Sequence, residues 1–415
     1  MAAVEAHELT ITEHLVRSAN ASPSRIYASV PLADDCISDG FCDVTVSAFL
    51  SAVEACAWWI EDTYGRSNDF DTLAYAGVND LRYALVLHAA MRCRYKTMFV
   101  SPGNEREVNM SLLEQMECKI LSYAAELSNL VQDLQKELGE HKTQLAELVP
   151  MQYWLERPQK SYHPPKSLTS SLHDPVLVIH SSGTTGKPKP IIITNGYFST
   201  ALRRLPAIPN RECPWQHVYQ NSTFMALLPP FHLGAVLSMS VYPTALDATI
   251  VLAPTNSVVT GILVTEVMRR KKLSILYAVS SIFEEMVRLP DGLELLSRPD
   301  YVTFTGGPLA KWCGDELSKS VRVMCVYGST EAAGAPTLLP LDPLDWPYLE
   351  FHPAYGAVFE PSALPNTFEL ILPPSPAVTP FRPNIWTMPA TKDKETWCTG
   401  DLFTPHASKA GLWQF

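Results

Sequence analysis

The sequence predicts an α/β protein, with two doubly wound α/β subdomains and a smaller β-rich subdomain. Three observations predict it. Short apolar runs alternate with amphipathic helical stretches from residue 9 to residue 327. Strand, helix and strand follow one another repeatedly, as a parallel sheet with crossover helices requires. After Gly334 the helical periodicity stops, and prolines crowd residues 336–383 around short runs such as 368–372. The expected division is an α/β core of two interleaved subdomains over 1–335 and a β-rich subdomain over 336–415.

Taken in order, 9–20 and 46–64 carry apolar residues at helical spacing, the second through Phe49, Leu50, Val53, Ala57, Trp58 and Ile60. Residues 72–75, 80–92 and 97–100 read as strand, helix and strand. From 111 to 148 the leucine spacing is largely helical but breaks near 118–121 and at Gly139, so amphipathic helices flanking a short strand fit better than a coiled coil. Residues 157–165 read as a surface connection. Strands over 176–180 and 191–194 enclose a Gly/Thr-rich loop, which makes that loop a hairpin tip, and a helix begins near Gly196. Further strands are expected at 224–228, 249–252, 275–278, 301–305 and 321–327, with a helix over 260–270.

Composition narrows the function. With 47% hydrophobic and 18% charged residues in 415, the chain is that of a folded, enzyme-sized protein. A net charge of -11 and the absence of a Lys/Arg run with interleaved aromatics argue against nucleic acid as a partner. The nine cysteines form no Cys-x-x-Cys pair or zinc-spaced cluster, which fits a reducing compartment, and Cys36 and Cys42 read as separate free thiols. Residues 1–15 lack a secretory pattern, so a cytoplasmic location is expected. Residues 234–254 are the most apolar window, but Pro243 and Pro254 punctuate them, and a buried helix plus strand is expected there instead of a membrane span.

The strongest local signal is Ser181-Ser182-Gly183-Thr184-Thr185-Gly186-Lys187-Pro188-Lys189. Glycines let backbone amides approach an anion, hydroxyls add neutral donors, and lysine supplies charge, so the segment suits a phosphate cradle. Those residue types also fit a plain polar turn. The loop is not a Walker loop, since only Thr184 and Thr185 separate Gly183 from Gly186. Downstream, in order, come Phe304-Thr305-Gly306-Gly307-Pro308-Leu309, then Tyr327-Gly328-Ser329-Thr330-Glu331, then Thr399-Gly400-Asp401. Taken singly these fit turns and solvated charges.

Together, the four segments resemble the ordered motifs of the adenylate-forming superfamily, which includes acyl-CoA synthetases, luciferases and peptide-synthetase adenylation domains. The resemblance implies the large N-terminal core of such an enzyme, with ATP and Mg²⁺ as cofactors. It places Thr184, Thr185 and Lys189 on the β- and γ-phosphates, Gly306, Gly307 and Pro308 beside adenine, Tyr327 stacked on adenine, Thr330 on the α-phosphate, Glu331 on Mg²⁺ and Asp401 on the ribose hydroxyls. The remaining loop and motif residues, Ser181, Ser182, Gly183, Gly186, Gly328 and Ser329, belong to the same nucleotide site. His180 and Pro190, the latter where the superfamily usually has glycine, are similar to fungal peptide-synthetase-like carboxylic acid reductases, which activate an acid, load it on a carrier and reduce it.

For the acid, Pro229-Pro230-Phe231-His232-Leu233-Gly234 resembles the segment beside the acyl pocket. His232 would orient the carboxylate and count with Thr184, Lys189 and Glu331 as catalytic, although a histidine between Phe and Leu also fits a packed one. Phe231, Gly234, Val279, Ser280 and Thr305 complete the pocket that the resemblance implies. The expected reaction is attack of a carboxylate oxygen on the α-phosphorus, giving acyl-AMP and pyrophosphate, with positioning and charge neutralisation as the catalytic devices.

Members of the superfamily normally continue past the position of Phe415 into a hinge and a lid carrying a further lysine. A carrier domain with phosphopantetheine and a reductase with NADPH are expected only if the fungal relationship holds. A chain without the lid is expected to bind nucleotide weakly and adenylate slowly. The acid is expected to be aryl or polyketide-derived, and the acceptor a carrier domain or coenzyme A. The alternatives are a stand-alone acyl- or aryl-CoA ligase core and a truncated, non-catalytic relic. No membrane partner is expected.

Overall fold

The computed structural model describes residues 9–138, 143–157, 161–163, 170–181, 188–202, 215–374, 384–391 and 394–415. The chain divides into two compact units: residues 1–27, 44–199 and 229–245 form the first, and 28–43, 200–228 and 246–415 the second. The first strands in the chain, β1 (Ile26–Pro31) and β2 (Phe41–Thr45), enter the sheet of the second unit. Neither stands out in the sequence reading.

The first unit holds a six-stranded sheet, built from β3 (Thr72–Ala76), β4 (Lys96–Phe99), β5 (Ile120–Ala124), β6 (Gln144–Leu148), β7 (Pro175–Ser181) and β8 (Lys189–Thr194) in the order β6-β5-β3-β4-β7-β8. Its first five strands pair in parallel, and β8 closes the edge antiparallel to β7. Local chemistry sets its helices. Thr10 and Glu13 make a reciprocal capping box that starts helix Ile11–Ala21, an arrangement that contributes on the order of 1 kcal/mol. Helix Val46–Tyr64 starts where the Thr45 side chain accepts the Ala48 N–H and stops at Gly65, whose φ of 77° few other residues adopt. It buries Phe49, Val53 and Ile60.

One expectation fails here. Residues 144–148, assigned by leucine spacing to a helical stretch, form β6, an edge strand in register with β5 from Gln144 opposite Ile120 to Leu148 opposite Ala124. Gln, Leu, Ala and Glu favour helix locally, but pairing with the adjacent parallel strand overrides that weak preference.

The second unit holds a seven-stranded sheet to which β9 (Thr223–Leu227), β10 (Thr249–Val251), β11 (Ile275–Val279), β12 (Tyr301–Thr305) and β13 (Arg322–Cys325) contribute, in the order β13-β12-β11-β9-β10-β1-β2. The run from β13 to β1 is parallel throughout. Met225, Leu276, Phe283, Met286, Val302 and Phe304 belong to its buried core, where each fully buried side chain contributes about 1.5–3 kcal/mol relative to exposure. Helix Gly261–Arg270 is capped by the Thr260 hydroxyl, which accepts from the Leu263 N–H. Two short strands, β14 (Gly328–Ser329) and β15 (Ala333–Gly334), form a tight hairpin. Then β16 (Val358–Pro361), β17 (Phe368–Leu372), β18 (Trp397–Pro405) and β19 (Trp413–Gln414) make a separate antiparallel sheet.

The architecture is thus two α/β sheets and a small antiparallel one. The apolar window folds as expected, into helical turns over 233–245, including one π turn (Leu237–Val241), followed by β10. Among the described residues, no helix is long and apolar enough to cross a membrane.

Candidate nucleotide and acid site

In open α/β sheets ligands bind beyond the carboxyl ends of the parallel strands, and the candidate residues gather there in each unit. In the first unit Ser181 ends β7 and Lys189 begins β8, paired directly across the antiparallel ladder. The loop expected at this hairpin tip is bounded as predicted. Ser182, Gly183, Thr184, Thr185 and Gly186 lie outside the described residues, as does the Ser181 side chain. Lys189 is exposed.

His180, one residue before that loop, faces Phe231 with ring centroids 6.5 Å apart and planes 17° from parallel. Its Nε2 lies 3.4 Å from Asn104 Nδ2, and Asn104 Nδ2 also donates to Asn109 Oδ1 at 3.0 Å. An amide nitrogen only donates, which assigns Nε2 as acceptor and puts the ring proton on Nδ1. Burial, and secondarily the neighbouring His232, push the His180 pKa below its ordinary value, and burial does the same to His232. Both imidazoles are therefore neutral at pH 7. His232 precedes helix Leu233–Val236 with extended backbone, its carbonyl accepting from the Ala235 and Val236 amides. The Gly234 carbonyl accepts from the Ser238 hydroxyl at 2.8 Å.

A cavity of about 890 Å³ also lies in this unit, lined by Arg92, Arg94, Tyr95, Asp174, Val176 and Asn195 among others. Those residues sit at the amino end of β7, so the cavity is at the opposite end of that strand from Ser181, and none of the candidate residues lines it.

In the second unit the ends of β11, β12 and β13 lie side by side. Val279 is in register with Thr305, and Phe304 with Cys325. The Thr305 hydroxyl donates to the Val326 carbonyl at 2.8 Å, and the Ser280 hydroxyl to the Gly307 carbonyl at 3.0 Å. Gly306 has φ of 79°, and a Cβ placed on Gly307 would meet nothing within 4 Å. The glycine loop, Pro308 following it, thus presents bare backbone to open space, the surface a flat ring packs against.

Tyr327 follows β13. The residue is 8% exposed, and its ring lies among Phe351, Phe403 and Phe415, with centroids 5.9, 5.2 and 5.5 Å away. Its hydroxyl donates to Asp401 Oδ2 at 2.6 Å. The next residues form the β14–β15 hairpin, in which Gly328 is obligatory: a Cβ there would lie 2.3 Å from the Ala333 carbonyl oxygen. The Ser329 hydroxyl accepts from the Ala332 N–H at 3.1 Å, and Thr330 and Glu331 occupy the turn. Glu331 is half-buried and has no ion-pair partner among the described residues.

Asp401 is placed by an irregularity in the small sheet. Glu369 pairs with Leu402 but Ile371 pairs with Cys398, so Thr399, Gly400 and Asp401 stand opposite Leu370 alone. Such bulges re-aim side chains. Gly400 takes φ of 77° and donates its N–H to Glu369 Oε1, while the Thr399 hydroxyl donates to the Leu370 carbonyl and accepts from the Asp401 N–H. Sequence reasoning missed Glu369 and Asn104. Only the Ser-Pro-Gly-Asn turn at the end of β4 hints at Asn104, and nothing local marks Glu369.

No group of three or more His, Cys, Asp or Glu among the described residues forms a metal cage. A lone carboxylate such as Glu331 suits Mg²⁺, which binds through one or two carboxylates plus phosphate oxygens and retained waters.

Comparison with known proteins gives a consistent result. The pattern of the family described as AMP-binding enzyme matches residues 18–359. Isocyanide synthase-NRPS hybrid crmA of Aspergillus fumigatus is 26% identical over 90% of this chain and 24% of its own length. Carboxylic acid reductase of Neurospora crassa is 24% identical over 94% of this chain and 37% of its own length. The chain thus spans only 24% and 37% of the length of these two curated relatives. Among solved structures, a fatty acyl CoA synthetase of Mycobacterium tuberculosis superposes with a TM-score of 0.73 at 16% identity, over 98% of this chain and 77% of that one. The N-terminal domain of FACL13 from the same organism gives 0.72 at 17% identity, over 98% of each chain. These structural likenesses establish the fold.

Proposed function

The chain belongs to the AMP-binding enzyme family, and on that footing we propose that it activates a carboxylic acid with ATP, forming acyl-AMP and pyrophosphate, as the adenylation part of a peptide-synthetase-like reductase. The observation that carries the reading is the convergence of Gly306–Gly307, Tyr327, Glu331 and Asp401 around the carboxyl ends of β12 and β13. Together they offer a flat backbone surface, a carboxylate suited to a hard cation and a carboxylate suited to hydroxyl donors.

A carboxylate oxygen of the acid forms a bond to the α-phosphorus as the bond to the bridging α–β oxygen breaks, and pyrophosphate leaves with that oxygen. No protein nucleophile enters. Cys325, near the site, has its thiol pushed up to about 12 by burial and remains protonated. The chain's work is to position and neutralise. Lys189, with Thr184 and Thr185, takes the charge of the departing phosphates. Glu331 would hold Mg²⁺, which when bound neutralises phosphate charge. Asp401 orients the ribose, and Gly306, Gly307 and Pro308 flank adenine.

On the acid side, neutral His232 would orient the carboxylate by a hydrogen bond without fixing it in an ion pair, and the motif resemblance assigns Phe231, Gly234, Val279, Ser280 and Thr305 to the acid as well. In this reading the acid is aryl or polyketide-derived and the acyl group passes to a carrier's phosphopantetheine, with NADPH reduction downstream; the carboxylic acid reductase and adenylate-forming reductase among the relatives support the reductase part of it. Acid-dependent exchange of labelled pyrophosphate into ATP tests the reading. Exchange that appears only with particular carboxylic acids is the expected result, and exchange independent of any acid contradicts it.

A further inference from the structure

We propose that Tyr327 is a positioning residue for nucleotide recognition, its hydroxyl holding Asp401 in the orientation that receives the ribose. The proposal rests on the reading of Asp401 as the ribose acceptor. Two independent supports converge on that carboxylate: the bulge opposite Leu370 sets its backbone, and the 2.6 Å hydrogen bond from Tyr327 sets its side chain. The bulge alone leaves both side-chain torsions of Asp401 free. The phenol removes that freedom, because its own ring is clamped by Phe351 and Phe403 and cannot follow a wandering carboxylate.

The arrangement spends one carboxylate oxygen on the protein. Oδ2 accepts the phenol proton, and Oδ1 remains the oxygen committed to ligand. Burial raises the Tyr327 pKa well above that of an ordinary phenol, so the hydroxyl stays a donor over the whole working range. A charged acceptor already satisfied on one side is pre-organised to take the ribose hydroxyls on the other, so ordering of Asp401 is not left to the moment of binding. Tyr327 would thus tune which sugar the site accepts without touching the sugar.

The test is a calorimetric comparison of wild type, Y327F, D401N and the double variant against ATP and 2′,3′-dideoxy-ATP, with a thermal melt of each. Y327F keeps the ring and removes only the hydroxyl. It is expected to weaken ATP about tenfold, the scale of a lost hydrogen bond to a charged group, and to weaken dideoxy-ATP less than about twofold. In the D401N background Y327F is expected to cost almost nothing further, because the two residues act as one unit. An equal loss for both nucleotides, no loss for either, or failure of Y327F to fold would overturn the proposal, each making the hydroxyl structural or idle. If wild type binds ATP and dideoxy-ATP alike, the ribose reading of Asp401 fails, and the proposal fails with it.

Discussion

Lys189 stands directly across the antiparallel ladder from Ser181, so the two residues that bracket the Gly/Thr-rich loop are locked in register by the sheet. The lysine's position beside that loop is a property of strand pairing. Its side chain is exposed and unneeded by the core. Lys189→Ala should therefore leave stability within about 0.5 kcal/mol of wild type, while acid-dependent pyrophosphate exchange falls at least about tenfold through loss of a charged contact. A melt and an exchange assay on one preparation check both halves.

Glu331→Gln preserves the shape of the hairpin turn and removes the charge. The Mg²⁺ concentration for half-maximal exchange should rise about 10- to 100-fold, the scale for disturbed metal sites, with the thermal midpoint unchanged. A magnesium titration showing no shift would remove Glu331 from the metal role.

Gly328→Ala attacks the same hairpin through the backbone. The added carbon would lie 2.3 Å from the Ala333 oxygen and 2.8 Å from the Gly334 Cα, neither of which is a flexible side-chain end. A loss of about 1–3 kcal/mol in a denaturant titration is expected. The magnesium requirement should shift as well, because Glu331 moves with the hairpin.

His88 predicts the acid limb of stability. Fully buried, with Thr12 3.4 Å from Nδ1, its pKa is lowered by desolvation to about 3. The unfolded chain takes up a proton below about pH 6.5 that the folded state refuses, so stability falls as pH drops from about 6.5 toward 3. The slope contributed is at most about 1.4 kcal/mol per pH unit. His88→Leu should flatten that part of a pH series of denaturant midpoints and leave the region above pH 7 parallel to wild type.

Much of the fold was legible because its elements obey local rules. The strands around the Gly/Thr loop, the parallel strands ending at Val279, Thr305 and Cys325, and helix Val46–Tyr64 all show in apolar spacing. What escaped depends on distant partners. β6 is a strand because β5 lies beside it, and β1 and β2 enter a sheet whose other strands come some two hundred residues later. At the site, the order of glycines, hydroxyls and carboxylates could be read directly. The bond from Tyr327 to Asp401 could not: it spans 74 positions and depends on a bulge permitted by Gly400.

The central claim is tested most directly by identifying the products formed from ATP in the presence of hydroxylamine and a panel of aryl and aliphatic carboxylic acids. An adenylating enzyme gives AMP, pyrophosphate and the hydroxamate of the accepted acid in equal amounts, and that is the result predicted. Release of ADP and phosphate, or a folded protein that neither turns over nor binds ATP, would contradict it.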